Sequence, residues 1–436
     1  MLSAQIENRK SLIKKRSEYN AESFCFGLMI FSFTFQFVTI IYQLFGGLSV
    51  IFTAAEIVLW GIGWLWISIE KKKFEKHIGI ILPCILLFGM LCLKILIANG
   101  LDDSYYSPTK SLYQIFSLLY TLMLGCCVMQ LSDKYKYLLL KYIYIMFILT
   151  VLPSYIYVLD FPDAIRNQVS KYGIIDFQYI YSVIPFIGLT ISALRRGNIR
   201  RGMRALMSIM VIVNSGIILL SNFATAMIIL LFTILIALIS PKRISIRRII
   251  IVALLVILFI FLLREQIAAL LFKLADISFF GTVMKHRLQD IARFLQGVSV
   301  GYSFTARLKL MSYSFESFLK SPIFGASFGG TGFGTFGFHE TWVTVLAYSG
   351  ILGFVAIVLS IALFLRYVKK NSRSLYFHKL FLLMLLVYLL LSVLNPMMTK
   401  SPLMMCWTIM PMLGIFFKSK GGKRASLKSV RKVKYE

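Results

Sequence analysis

Acidic side chains are scarce in this 436-residue chain. Eighteen Asp and Glu stand against 47 Lys and Arg, and charged residues together make up only 15%, well below the roughly 25% of soluble domains. With 58% hydrophobic residues and a mean hydropathy of +0.80, a soluble fold could not hide the apolar surface. Cysteine is sparse too. Cys25, Cys84, Cys92, Cys126, Cys127 and Cys406 all fall in or at the ends of apolar runs, and no two have CxxC spacing. Neither a zinc site nor a disulfide framework is supported, and these cysteines read as small apolar helix residues. There is no internal repeat, no low-complexity linker and no second soluble domain. No cleavable signal peptide is visible: the first 22 residues are polar and basic and lead into a full-length apolar run, so the first helix is expected to remain as an anchor.

What the chain has in abundance is apolar runs. They fall at 23–42, 48–69, 78–98, 111–131, 137–159, 178–194, 203–220, 223–240, 249–263, 341–365, 379–395 and 402–417. At about 20 residues per span, this pattern predicts an all-α, polytopic integral membrane protein with about twelve transmembrane helices. Only Ser221 and Asn222 part the runs at 203–220 and 223–240, which as one span would far exceed about 30 Å of hydrocarbon. Pro153 and Pro185 lie inside spans, as candidate kinks.

The net charge of +29 invites a nucleic-acid reading, but the Lys and Arg sit in short connections, where they fix topology. No nucleic-acid partner is expected. Basic residues crowd the N-terminal arm and then every second connection: Lys71, Lys72, Lys73 and Lys76; Lys134 and Lys136; Arg195, Arg196, Arg200, Arg201 and Arg204; Lys242, Arg243, Arg247 and Arg248; Arg366, Lys369, Lys370 and Arg373. The alternation predicts a basic cytoplasmic arm (1–22), nine spans (23–263), one large extracytoplasmic loop between spans 9 and 10 (264–340), three more spans (341–417) and a basic cytoplasmic tail (418–436).

The long loop has its own pattern. Within 284–295, Leu288, Ile291, Ala292 and Leu295 share a helical face, and within 305–319 Leu308, Met311, Phe315 and Leu319 share another. Two or three amphipathic helices lying over the outer mouth of the bundle are expected. A glycine- and phenylalanine-rich stretch follows and leads through His339 and Glu340 into the tenth span. Gly332, Gly334 and Gly337 make a formal GxGxxG, but no strand precedes it and no soluble helix follows, so it is no dinucleotide fingerprint. Six glycines in 325–337 either turn backbone N–H groups toward a phosphate or diphosphate at a helix start or act as a hinge. At a helix N-terminus the dipole disfavours the imidazolium, which suits His339 to act as a general base. Arg287, Arg293 and Arg307 offer planar forks for phosphate oxygens, against the plainer reading of solvated or headgroup-facing charges. Glu56 lies well inside the second span, as an intramembrane functional carboxylate or a buried structural hydrogen bond.

The arrangement over 303–354 resembles the core of the O-antigen ligase/polymerase superfamily. The matching residues are Arg307 and a helix, then Ser321, Pro322, Ile323, Phe324 and Gly325, then the glycine loop, His339, and a GxxG at Gly350 and Gly353; Arg287 with Leu288 is similar to an upstream arginine–leucine element. The close match covers about 70 residues. The chain departs from that pattern at Glu340, where Asn is common. It departs again in the stretch LSNFATA (220–226), where Asn222 lies but the family often carries a basic residue. The second phosphate-binding charge then comes from Arg287 or Arg166, or is missing.

The resemblance implies a metal-independent, inverting glycosyltransferase of the bacterial cytoplasmic membrane with both termini cytoplasmic. It implies a polyprenyl-diphosphate-linked glycan donor, a sugar acceptor, membrane lipid and a chain-length regulator protein as partners, and no cofactor or metal. His339 would be the catalytic base, and Arg307 with Arg287 and Arg293 the diphosphate clamp. Gly325, Gly332, Gly334, Gly337, Glu340, Gly350 and Gly353 would shape the loop and helix start. Glu56, Arg166 and Asn222 remain as further candidates. Polymerisation of repeat units is favoured over ligase-type transfer to a lipid core or wall. A flippase or transporter is the alternative of another class.

Overall fold

The computed structural model describes residues 2–38, 49–97, 108–160, 165, 175–221, 223–239, 262–277, 282–298, 302–326, 341–372 and 374–417. Among these residues every regular element is helical. In chain order they are α1 (Leu2–Phe37), α2 (Ser49–Glu70), α3 (Phe74–Ile97), α4 (Pro108–Gln130), α5 (Asp133–Asp160), α6 (Phe177–Arg196), α7 (Arg201–Leu220), α8 (Ala224–Ile239), α9 (Arg264–Ala275), α10 (Thr282–Leu295), α11 (Tyr302–Lys320), α12 (Trp342–Asn371), α13 (Leu375–Leu394) and α14 (Lys400–Phe417). Among the described residues eight helices are long and apolar enough to cross a bilayer, and the segment Thr225–Ile239 is a shorter apolar one. The chain is an all-α membrane protein. The apolar run at 249–263 lies almost wholly outside the described residues.

Local chemistry accounts for many helix ends. The Asp176 carboxylate accepts from the Tyr179 amide at 2.8 Å and starts α6, and Ser374 does the same for α13 through Phe377 at 3.2 Å. Ser221 closes α7 with its amide on Ile218 O, so the two runs on either side of 221–222 are separate helices. Pro153 and Pro185 lie inside α5 and α6, which continue through them. α1 continues without a break across the expected arm–span boundary at 22–23.

The connections sort to two ends of the bundle. At one end, Glu22 receives Lys71 Nζ at 2.7 Å and the Ser132 amide at 3.0 Å, which ties α1 to the α2–α3 and α4–α5 connections. The Asn198 amide donates to Phe416 O at 2.8 Å, and Arg196 and Arg200 lie over the rings of Tyr376 and Tyr137. This is the basic end. Burial alone would push the Glu22 carboxyl up; the hydrogen bonds and charge of Lys71 and the Ser132 amide outweigh it and hold the carboxyl below the ordinary carboxylate range. At the opposite end, Lys94 meets the turn after α11, Thr341 meets the α13–α14 connection, and Thr399 donates to Gln178 Oε1 at 3.0 Å.

Close helix approach is bought with small residues. At Gly188 of α6 a Cβ would collide with Thr233 of α8 and Met384 of α13, and at Gly125 of α4 it would meet Phe364 and the Trp407 carbonyl. That carbonyl belongs to an irregular stretch: α14 changes to a π-helical turn at Met405–Ile409 and ends as a 3-10 turn at Leu413–Phe417. Pro411 removes the amide that would have paired with Trp407 O in a regular helix.

Candidate functional site

The expected motif 321–325 and the GxxG at Gly350 and Gly353 in α12 meet each other. α11 ends in a tight turn, Ser321 to Gly325, with the Gly325 amide on Ser321 O at 2.9 Å. α12 is broken at Gly350, whose φ of 64° and ψ of −171° are not helical. The break frees amides and a carbonyl that a regular helix would pair internally. The turn supplies their partners. The Ile351 amide donates to Pro322 O at 2.8 Å, the Leu352 amide to Ile323 O at 3.2 Å, and the Ala326 amide to Ala347 O at 2.7 Å. Gly325 has a φ of 83° and packs against the backbone of Tyr348 and Ser349; Gly353 faces Ser349 and Leu87 of α3. Lys94, in the last turn of α3, donates to Phe324 O and, at 3.5 Å, to Gly325 O.

The glycine loop leaves from this unit after Ala326 and returns at Thr341. Gly332, Gly334, Gly337, His339 and Glu340 lie outside the described residues. Thr341 is a buried anchor. Its amide donates to Ser392 O at 2.9 Å, its hydroxyl donates to Asn395 O at 3.0 Å, and that hydroxyl accepts from the Met397 amide at 2.9 Å. Trp342 Nε1 adds a bond to Ser392 Oγ at 2.6 Å. The residue that follows His339 and Glu340 is therefore clamped to the connection that leads into α14.

Arg287 and Arg293 stand on α10, which forms a hairpin with α9. Leu288 and Ala275 are its buried contacts, and Met227 of α8 packs against them. Leu288 and Ala292 are buried, as the expected face requires. Arg287 is half-buried and Arg293 exposed. Arg307 lies in α11, with its side chain outside the description; Arg166 and Asn222 also lie outside the described residues.

Glu56 belongs to a separate cluster. Lys400 Nζ lies 3.6 Å from its Oε2, with both side chains only 8% exposed. The Tyr120 hydroxyl donates to Glu56 Oε1, and the Lys400 ammonium lies 5.3 Å from the Tyr120 ring centroid. Trp60 Nε1 donates to Ser32 Oγ, the Ser32 hydroxyl lies 3.2 Å from the Tyr120 oxygen and can donate to it, and Gln36 Nε2 donates to Ser401 Oγ at 2.6 Å. A buried ion pair thus joins α2 and α14, and hydrogen bonds around it tie in α1 and α4. Lys94 and Lys400 are the two residues that reading the sequence missed. A signal existed: each is the only charged residue in a long apolar stretch, between Lys76 and Asp102 and between Lys379 and Lys418.

The structure thus brings Gly325, Gly350 and Gly353 together with Lys94, and sets Arg287 and Arg293 on the α9–α10 hairpin and Glu56 in the ion-pair cluster. Two cavities of about 420 and 480 Å³ lie elsewhere, at the basic end, around Asp133, Lys136 and Asn371 and around Tyr137, Asn198 and Arg200. Comparison with known proteins adds no relative: the sequence matches no family model and no curated protein.

Proposed function

We propose that this protein is a glycosyltransferase of the bacterial cytoplasmic membrane that polymerises polyprenyl-diphosphate-linked oligosaccharide repeat units into a surface polysaccharide. Twelve spans and cytoplasmic termini put residues 264–340 on the outer face, where lipid-linked diphosphates rather than nucleotides are the available phosphates. Arg307, with Arg287 and Arg293, holds the donor diphosphate and stabilises it as leaving group. His339 takes the proton of the acceptor hydroxyl, whose oxygen attacks the anomeric carbon from the face opposite the diphosphate. One C–O bond forms as another breaks, with inversion. The same donor chemistry serves ligase-type transfer to a lipid core or wall, and the acceptor alone separates the two.

The observation that supports this reading most is the mutual seating of the turn at Pro322–Ile323 in the break at Gly350. Two short motifs that mean little singly are joined by three backbone hydrogen bonds, at the root of the loop that carries His339. A transporter or flippase reading draws on a different observation, the buried Glu56–Lys400 pair beside the irregular α14, because transporters place charged groups within the membrane at interrupted helices. Supplying purified protein with a lipid-linked repeat unit tests both. A product ladder that is lost in His339→Ala supports polymerisation, and transfer of labelled lipid across the vesicle without new glycosidic bonds supports transport.

A further inference from the structure

The segment 302–326 is built like a membrane-inserted element rather than a connector in water. α11 runs beside α12 in the same direction. Ser314 Oγ lies 3.4 Å from Thr344 Oγ1, and further along both helices Pro322 and Ile323 accept from the amides of Ile351 and Leu352. α12 carries no charged residue from Trp342 until Arg366. From Arg366 back to Ile351 is fifteen residues, or about 22 Å of helix at 1.5 Å per residue. With Arg366 taken as the hydrocarbon boundary at the basic end, α12 along the bilayer normal and a core about 30 Å thick, the turn level with Ile351 lies about 8 Å inside the boundary at the less basic end.

The side chains of α11 point the same way. Ser314 and Ser317 are buried against the protein, while Leu308, Met311, Phe315 and Leu319 are 38–59% exposed, with the charged Lys309, Glu316 and Lys320 exposed beside them. The four share a face, as the sequence indicates, but it is the outward face rather than one laid on the bundle. Small polar residues inward and a large apolar stripe outward is the order of a helix at the edge of lipid, where charged side chains flanking the stripe reach toward the headgroups. The outward face continues through Ile323 and Phe324, each 55% exposed, onto the exposed Ile351, Leu352 and Val355 of α12.

Irregular backbone survives in hydrocarbon only when the protein satisfies its polar groups. Every carbonyl from Ser321 to Gly325 accepts a hydrogen bond: Ser321 from Gly325, Pro322 from Ile351, Ile323 from Leu352, and Phe324 and Gly325 from Lys94. A turn exposed to water has no need of such closure. We propose that 302–326 is a re-entrant segment that dips into the bilayer beside α12 and lays its apolar face on the acyl chains of the leaflet at the less basic end. The proposal is independent of the glycosyltransferase reading.

Site-directed spin labelling tests it in phosphatidylethanolamine–phosphatidylglycerol liposomes. Labels are placed one at a time at Leu308→Cys, Leu319→Cys and Phe324→Cys, with Lys72→Cys as the water-exposed control. The background is Cys92→Ala, since Cys25, Cys84, Cys126, Cys127 and Cys406 are buried. All four labelled positions are exposed, so the labels displace no packed neighbour. Collision with oxygen should exceed collision with a water-soluble nickel chelate several-fold at 319 and 324, and both should be deeper than 308. Nickel access at 319 and 324 equal to that at 72, or equal depth at 308 and 319 as in a helix lying flat on the surface, overturns the proposal.

Discussion

Gly325 and Gly350 both hold left-handed backbone, and each stands where the other's strand of chain leaves no room for a Cβ. A methyl on Gly350 would fall closer than 3.0 Å to the Gly325 amide and the Ile323 carbonyl; one on Gly325 would fall 2.6 Å from the Ser349 amide. Strained φ alone costs about 1–3 kcal/mol per residue, and the clash adds to it. Gly325→Ala and Gly350→Ala are each expected to lower the melting temperature in detergent and to release the turn. Gly79→Ala, on α3 with open space at the Cβ, should be neutral or slightly stabilising, by about 0.5–1 kcal/mol.

Lys94 is the one side chain that donates to the Phe324 and Gly325 carbonyls among the described contacts. Lys94→Met keeps the stem and removes the donor, so two carbonyls lose their partner at a cost of about 1–3 kcal/mol each at most. Proteolysis within 321–340 in proteoliposomes should become faster. Cleavage as slow as in the wild type would remove Lys94 from the account of the turn.

Removing one member of the Glu56–Lys400 pair leaves the other buried and uncompensated, which costs about 3–5 kcal/mol. Lys400→Met and Glu56→Gln should each destabilise the protein strongly, and the double variant should recover much of the loss. A double variant no more stable than the worse single one would show that the two charges do not compensate one another.

Glu22 gives a pH dependence with a definite sign. Its folded pKa lies below the ordinary 4.5, so the stability it contributes is fully present above that value and is lost as pH falls through the lower, folded pKa. At pH 7, Glu22→Gln should melt below the wild type. The gap should narrow as the pH drops below about 4.5 and close in stronger acid. A gap independent of pH would mean that the Lys71 and Ser132 contacts do not depend on the carboxylate charge.

Much of the architecture was legible in the sequence because apolar length and basic connectors are one-dimensional signals. The break between α7 and α8 at Ser221 and the grouping of Lys71, Ser132, Asn198 and Phe416 at one end both follow from them. The buried face of Leu288 and Ala292 follows from helical periodicity. The partnership of Gly325 with Gly350 was implied only by a motif pattern, since backbone hydrogen bonds between segments 25 residues apart leave no periodic trace. Periodicity found the apolar stripe of α11 but not its direction, because amphipathicity has opposite senses in water and in lipid. Lys400 escaped notice because its partner is 344 positions away on another helix. His339 and Glu340 lie outside the described residues, so their roles rest on the sequence pattern.

The central claim is tested most directly by a reconstitution with one purified protein and one lipid-linked repeat unit, the products resolved by size. Polymerisation predicts a ladder of lipid-linked glycans from the wild type, with inverted linkages, and none from His339→Ala. Wild type and His339→Ala giving the same products would contradict the catalytic role of His339, and no new glycosidic bond from either would contradict the enzyme itself.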